Sequence, residues 1–148
     1  MQINLQKNMV MSLLVRDITH EKVDEKKVSE FNLGFNVEFS KEEFYVIFNC
    51  RVLVDKTKEI LLVYKSIFKT HSEIDDDFKK SRFPYINAPS IAFAFLRAFI
   101  GNITMLSGFS VVMIPSLNFI QMYEDRKKQE EQELKTRSSE EKSDANEP

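Results

Sequence analysis

From Phe31 to Phe39 apolar and polar residues alternate without a break. Phe31, Leu33, Phe35, Val37 and Phe39 fall on one side of an extended chain, and Asn32, Gly34, Asn36 and Glu38 on the other. A period of two marks a strand with one face in a core. Phe44 to Val54 repeats the pattern, with Phe44, Val46, Phe48, Cys50, Val52 and Val54 on one side. Glu59 to Lys69 is a further strand, and Met9 to Asp17 a first one, with Met11, Leu13 and Val15 alternating against Ser12, Leu14 and Arg16. Ser40-Lys41-Glu42 and Asp55-Lys56-Thr57-Lys58 are short turns, so the strands are expected to run as an antiparallel meander. His20 to Glu30 is a charged connection with little to bury.

Beyond Arg82 the pattern changes. Phe83 to Tyr123 contains a single charged residue, Arg97. Pro89 suits the first turn of a helix, where its missing N–H is not needed. Ile91, Phe95, Ala98, Phe99 and Asn102 then recur at helical spacing, while Phe93, Leu96, Ile100, Ile103 and Leu106 occupy the other side. A helix apolar nearly all round is covered on more than one face. One sheet covers one face, so the second calls for another subunit. The run is long enough to span a membrane. Gly101-Asn102, Ser107-Gly108, Pro115 and Asn118 interrupt it, however, and lipid would leave that irregular backbone unpaired. The prediction is a long helix, an irregular crossing and a short second helix, all packed in protein.

The fold class expected is therefore α+β: a four-stranded antiparallel sheet followed by a long helix and a short second helix, in an oligomer. Residues 1–123 form the folded domain. Residues 124–148 carry nine acidic and six basic residues against one large apolar side chain, Leu134, and are expected to be a disordered tail.

Composition removes several function classes. In 148 residues the net charge is −2, and no run is basic enough for a nucleic-acid surface. The single cysteine, Cys50, cannot form an internal disulfide and sits mid-strand on the apolar side, which suits core packing and a reducing, cytoplasmic setting. The apolar run Met9–Val15 is short and is followed at once by Arg16-Asp17, which argues against a signal peptide. His20 and His71 have no companion at metal-ligand spacing. Asp75, Asp76 and Asp77 lack the glycine and spacing of a calcium loop and fit a solvated loop or helix start. Gly34, Gly101 and Gly108 are too scattered to cradle a phosphate, and no serine has a motif supplying its base. No catalytic, cofactor or metal site is expected. Thirteen Phe and six Met instead suit an adaptable apolar surface.

Three local phrases in order carry a resemblance. Arg16-Asp17-Ile18-Thr19-His20-Glu21 stands near the N-terminus, Phe83-Pro84-Tyr85 at the start of the long helix, and Met113-Ile114-Pro115-Ser116-Leu117-Asn118-Phe119 between the helices. Over roughly residues 9 to 123 the chain resembles the bacterial protein-export chaperone SecB and its SecB-like relatives. The third phrase has one residue more between Pro and Asn than the family pattern, and Ile120 stands where an aspartate usually follows.

The resemblance implies a homotetramer built as a dimer of dimers, with long helices between paired sheets, and neither catalysis nor a cofactor. It implies a holdase whose clients are unfolded or nascent chains, held for export or as a dedicated client such as a toxin–antitoxin partner. Carried over, the client groove is Phe31, Leu33, Phe35 and Val37 with Phe119 and Met122. The acidic surface that docks the SecA motor is Asp17 and Glu21. A third docking carboxylate is replaced by Leu61, with Glu59 two residues away on the same face. From the residues alone, two other classes stay open: a domain holding a small hydrophobic ligand between sheet and helix, and a purely structural oligomeric subunit.

Overall fold

The computed structural model describes residues 2–18 and 31–145. Its order of elements is β1 (Ile3–Asp17), β2 (Phe31–Phe39), β3 (Glu43–Val54), β4 (Lys58–Thr70), α1 (Asp76–Lys80), a π-helical turn (Phe83–Asn87), α2 (Ala88–Leu106) and α3 (Phe119–Asp144). The strands form one antiparallel sheet in the order β1-β4-β3-β2. The meander holds for β2, β3 and β4. β1 departs from it and pairs with β4, so β1 and β2 are the two edges. Short turns dictate which strands are neighbours. The long connection from Thr19 to Glu30, outside the described residues, imposes no such constraint.

Register settles which side chains share a face. Val52, Cys50, Phe48, Val46 and Phe44 of β3 lie opposite Phe31, Leu33, Phe35, Val37 and Phe39 of β2. The β3 row is buried, as are Ile60, Leu62, Tyr64 and Phe68 of β4 on the same side. α2 lays Ala92, Phe93, Leu96 and Ile100 on this surface, all buried. Phe48 and Phe93 approach to 6.4 Å between ring centroids, and Phe44 stacks on Phe68 at 5.0 Å. Each such side chain removed from water contributes on the order of 1.5–3 kcal/mol, so this layer is the core.

β1 is longer than expected and breaks register twice, between Leu5 and Lys7 and between Val10 and Ser12. The second shift leaves Met11 outside the pairing. Leu13 and Val15 therefore share their face with Val10, not with Met11, because an extra residue reverses the alternation.

α2 stops where expected. Gly108 has φ of +81°, and the amide of Phe109 bonds back to the Thr104 carbonyl at 3.0 Å, closing the helix end. The segment after it crosses back over α2. Ser110 donates its amide to the Asp55 carboxylate at 3.2 Å, and Val112 donates to the Thr104 hydroxyl at 3.1 Å. By length and composition Phe83–Leu106 would pass as a membrane span. Here one side of α2 is buried on the sheet, while Ile91, Phe95, Met105 and Leu106 are exposed on the other. Leu106, at the helix end, is 80% exposed.

The chain divides into two compact units, Met1–Ser116 and Leu117–Pro148. In the second, Asn118 caps α3 by accepting the Gln121 amide at 3.0 Å. α3 runs for 26 residues, where a short helix followed by a disordered tail was expected, and the boundary anticipated after Tyr123 falls inside it. Glu, Gln, Lys and Arg favour helix without needing burial. Pairs such as Arg126–Glu130, 3.5 Å apart, add to that.

Candidate functional site

Phe31, Leu33, Phe35 and Val37 form a half-buried apolar row on the helix side of β2, the strand that ends the sheet. Strand periodicity brings all four to one face, and register sets each against a β3 core residue. Phe35 tilts against Phe48 with ring centroids 6.0 Å apart. Such a row contributes to the core from one flank and offers apolar surface from the other. Phe119 and Met122 belong to the second unit: Phe119 opens α3 and is buried, and Met122 one turn on is half-buried.

The docking carboxylates are placed differently. Asp17 is the exposed last residue of β1, in register with Lys58. Glu21 lies outside the described residues. Glu59 faces away from α2, directly opposite Arg16 on β1, and is only 3% exposed. Arg16 donates Nε–H to one carboxylate oxygen at 2.6 Å, and Arg51 donates Nε–H to the other. Burial pushes the Glu59 carboxyl up, but the hydrogen bonds and charges of Arg51 and Arg16 outweigh it and hold the group below its usual value. Glu59 is thus an acceptor already filled from both sides, with little surface left for a partner. Leu61, the next residue on that face, is half-exposed.

Three further features escaped the sequence reading. The Arg16–Glu59–Arg51 cluster needs the pairing of β1 with β4 and the register of the β3–β4 hairpin, and no local pattern announces either. That hairpin turns through Asp55 and Lys56, both with positive φ, of 50° and 59°. Ser110 hydrogen bonds hold the Asp55 carboxyl below its usual value. The helix-side residues of β1 are also more open than expected: Val10, Leu13 and Val15 are each about two-fifths exposed beside α2. Asp75, weighed above as part of an acidic trio, caps α1 by accepting the Phe78 amide at 2.8 Å. Burial pushes the Cys50 thiol up to about 12. That suits a packing residue and not a nucleophile.

The sequence profile of the family described as "Preprotein translocase subunit SecB" matches residues 4–130. Solved structures share the fold, two of them as follows. One is the Mycobacterium tuberculosis Rv1957 SecB-like chaperone in complex with a ChAD peptide from the Rv1956 HigA1 antitoxin; its TM-score is 0.56 at 9% identity, covering 78% of this chain and 88% of that one. The other, a Streptococcus agalactiae protein of unknown function, has a TM-score of 0.54 at 10% identity and covers 78% of this chain and 98% of its own. No protein of curated function matches the sequence significantly.

Proposed function

The chain belongs to the SecB family, whose members are chaperones, and on that premise we propose that it is a holdase for unfolded or nascent polypeptides, acting in the cytoplasm. The observation that carries this reading is the half-buried row Phe31, Leu33, Phe35 and Val37 on a strand that ends its sheet. An unfolded chain exposes apolar side chains and unpaired backbone together. A sheet edge with an apolar row can engage both, through strand addition and many weak contacts that require no particular sequence. The family resemblance adds Phe119 and Met122 of α3 as further candidates for client contact. The solved SecB-like chaperone that holds an antitoxin peptide supports a peptide-binding role.

The working particle is proposed to be a homotetramer. The exposed side of α2 and the open residues Val10, Leu13 and Val15 of β1 are too apolar to remain in water, and a second copy of the chain covers them. SecA docking is proposed to be weak or absent. Leu61 replaces one carboxylate, and the neighbouring Glu59 is held by two arginines.

The test is suppression of aggregation of several unrelated denatured proteins by the wild type and by a Leu33→Ser/Val37→Ser variant. Suppression by the wild type, reduced in a variant that keeps its oligomeric state, supports the reading. Stoichiometric binding of a single small hydrophobe without suppression overturns it. Titrating SecA against the wild type and an Asp17→Lys/Glu21→Lys variant tests docking; tight wild-type binding abolished by the variant would overturn that part alone. Chains co-purified from the native cytoplasm separate preproteins from one dedicated client.

A further inference from the structure

The sheet face turned away from α2 has a charge pattern that neither the core nor the client row uses. From β4 it takes Leu61, Val63, Lys65, Ile67 and Lys69, alternate residues of one strand. Lys7 of β1 stands opposite Ile67, and Arg51 of β3 opposite Leu61. With Arg16, this makes five cations against three carboxylates, Glu38, Glu43 and Glu59, on a chain whose net charge is −2. Glu59 is already filled by Arg16 and Arg51. The Lys65 ammonium sits 4.0 Å over the Tyr45 ring, which fixes its position without neutralising it. Among the described residues no ion pair engages Lys7, Lys65 or Lys69.

Glu43 stands opposite Lys69, but the cross-strand neighbours of Lys7 and Lys65 are apolar, Ile67 for the first and Met9 and Ile47 for the second, so cross-strand pairing gives no reason to place those two cations beside one another. An anionic partner would. Between the lysines Ile67 is half-exposed, as are Leu61 and Val63, so the surface alternates cation and apolar patch along the strand. Alternate residues of a strand repeat about every 6.6 Å, and an extended peptide has the same repeat on each of its own faces. A chain lying along β4 can therefore set a carboxylate against Lys65, an apolar side chain against Ile67 and a carboxylate against Lys69, in phase. A nucleic acid would want open aromatic platforms, and Tyr45 is covered by Lys65. A bilayer would want apolar side chains projecting past the lysines, whereas these are half-buried in the sheet.

We propose that this face docks an extended acidic segment of a partner protein, in which carboxylates and apolar residues alternate at every second position. The site is on the opposite side of the sheet from Phe31, Leu33, Phe35 and Val37, so it stands or falls independently of client binding.

The experiment is fluorescence anisotropy with the full chain and a labelled synthetic peptide repeating Glu-Ser-Leu-Ser. Saturable binding is expected, weakened by raised salt and by about tenfold or more in Lys7→Glu/Lys69→Glu. That variant should keep aggregation suppression, with only a small fall in thermal midpoint because Lys69→Glu faces Glu43 across the strands, and a Lys-Ser-Leu-Ser peptide should not bind. Should the double reversal fail to fold, Lys65→Gln takes its place, with a smaller loss in the same direction. Equal affinity in a folded variant overturns the proposal. So does displacement of the peptide by an unfolded client, which would locate it on the client row. Tighter binding to phosphatidylglycerol vesicles or to single-stranded RNA assigns the face to those partners instead. A change in particle mass caused by the lysine reversals without peptide assigns it to self-association.

Discussion

Arg97 donates its guanidinium Nε–H to the main-chain carbonyl of Ile114 at 2.8 Å. The one charge in the apolar stretch from Phe83 to Tyr123 thus fastens the crossing segment back onto α2 and supplies a donor to backbone that belongs to no helix or strand. The Ile114 side chain is itself buried. Replacing the donor by Arg97→Met leaves a part-buried carbonyl unmet while keeping an apolar stem. The expected loss is about 1–3 kcal/mol, seen as a lower urea midpoint with an unchanged slope. A midpoint equal to the wild type's would show that water replaces the bond without cost.

The Glu59 cluster makes stability depend on acid. Its folded pKa is lowered, so the folded state holds its proton less tightly than the unfolded chain. The stabilisation is present above the unfolded value near 4.5 and is lost as pH falls through the lower folded value. Thermal midpoints of the wild type should fall faster below about pH 4.5 than those of Glu59→Gln. At neutral pH Glu59→Gln should itself be destabilised by roughly 1–3 kcal/mol, since it weakens two charge-assisted bonds at a nearly buried position. Parallel pH profiles would count against the cluster as a stability determinant.

Phe95 stands on the uncovered side of α2, 47% exposed in the single chain. If a second copy covers it, Phe95→Glu places a charge in that contact. Light scattering at micromolar protein should then report a smaller particle than the wild type, with secondary structure retained. A wild-type particle of one chain would remove the need for the contact altogether.

Cys50 is buried in β3 with its thiol pushed up to about 12. A thiol-directed reagent at neutral pH should leave the native protein unmodified, react fully in denaturant, and modify the native chain only as fast as it opens. Fast labelling of native protein would mean that β3 is accessible.

α3 is exposed over nearly all of its length beyond Tyr123, including Leu134. A chain ending at Arg126 should therefore keep its thermal midpoint, because no apolar surface is withdrawn from water beyond that point. A fall of several degrees would show that the helix packs in the assembly.

Much of the architecture follows from the sequence by itself. Period two in residues 31–39 and 44–54 assigns two strands and their inner faces, because alternation is a local property of an extended chain; residues 59–69 read as a strand, but apolar residues on both sides leave its inner face to the register. Pro89 and Gly108 mark the ends of α2 for equally local reasons: a proline needs no donor in a first helical turn, and the left-handed conformation costs a glycine little. The long charged helix was also within reach, since Glu, Lys, Gln and Arg run from Glu124 to Asp144 without Gly or Pro. Such a charged run lacks a core but not helix propensity, which needs none. What only the tertiary structure decided is non-local. No residue in β1 states that its neighbour is β4, and the extra residue at Met11 that reverses its later faces has no signature in composition. Glu59 shows the consequence. In the sequence it is a free carboxylate two residues from a docking position; in the sheet it stands between Arg16 and Arg51, which lie 43 and 8 residues away along the chain. Pairing across strands is set by the summed burial of whole faces, and it decides which charges meet.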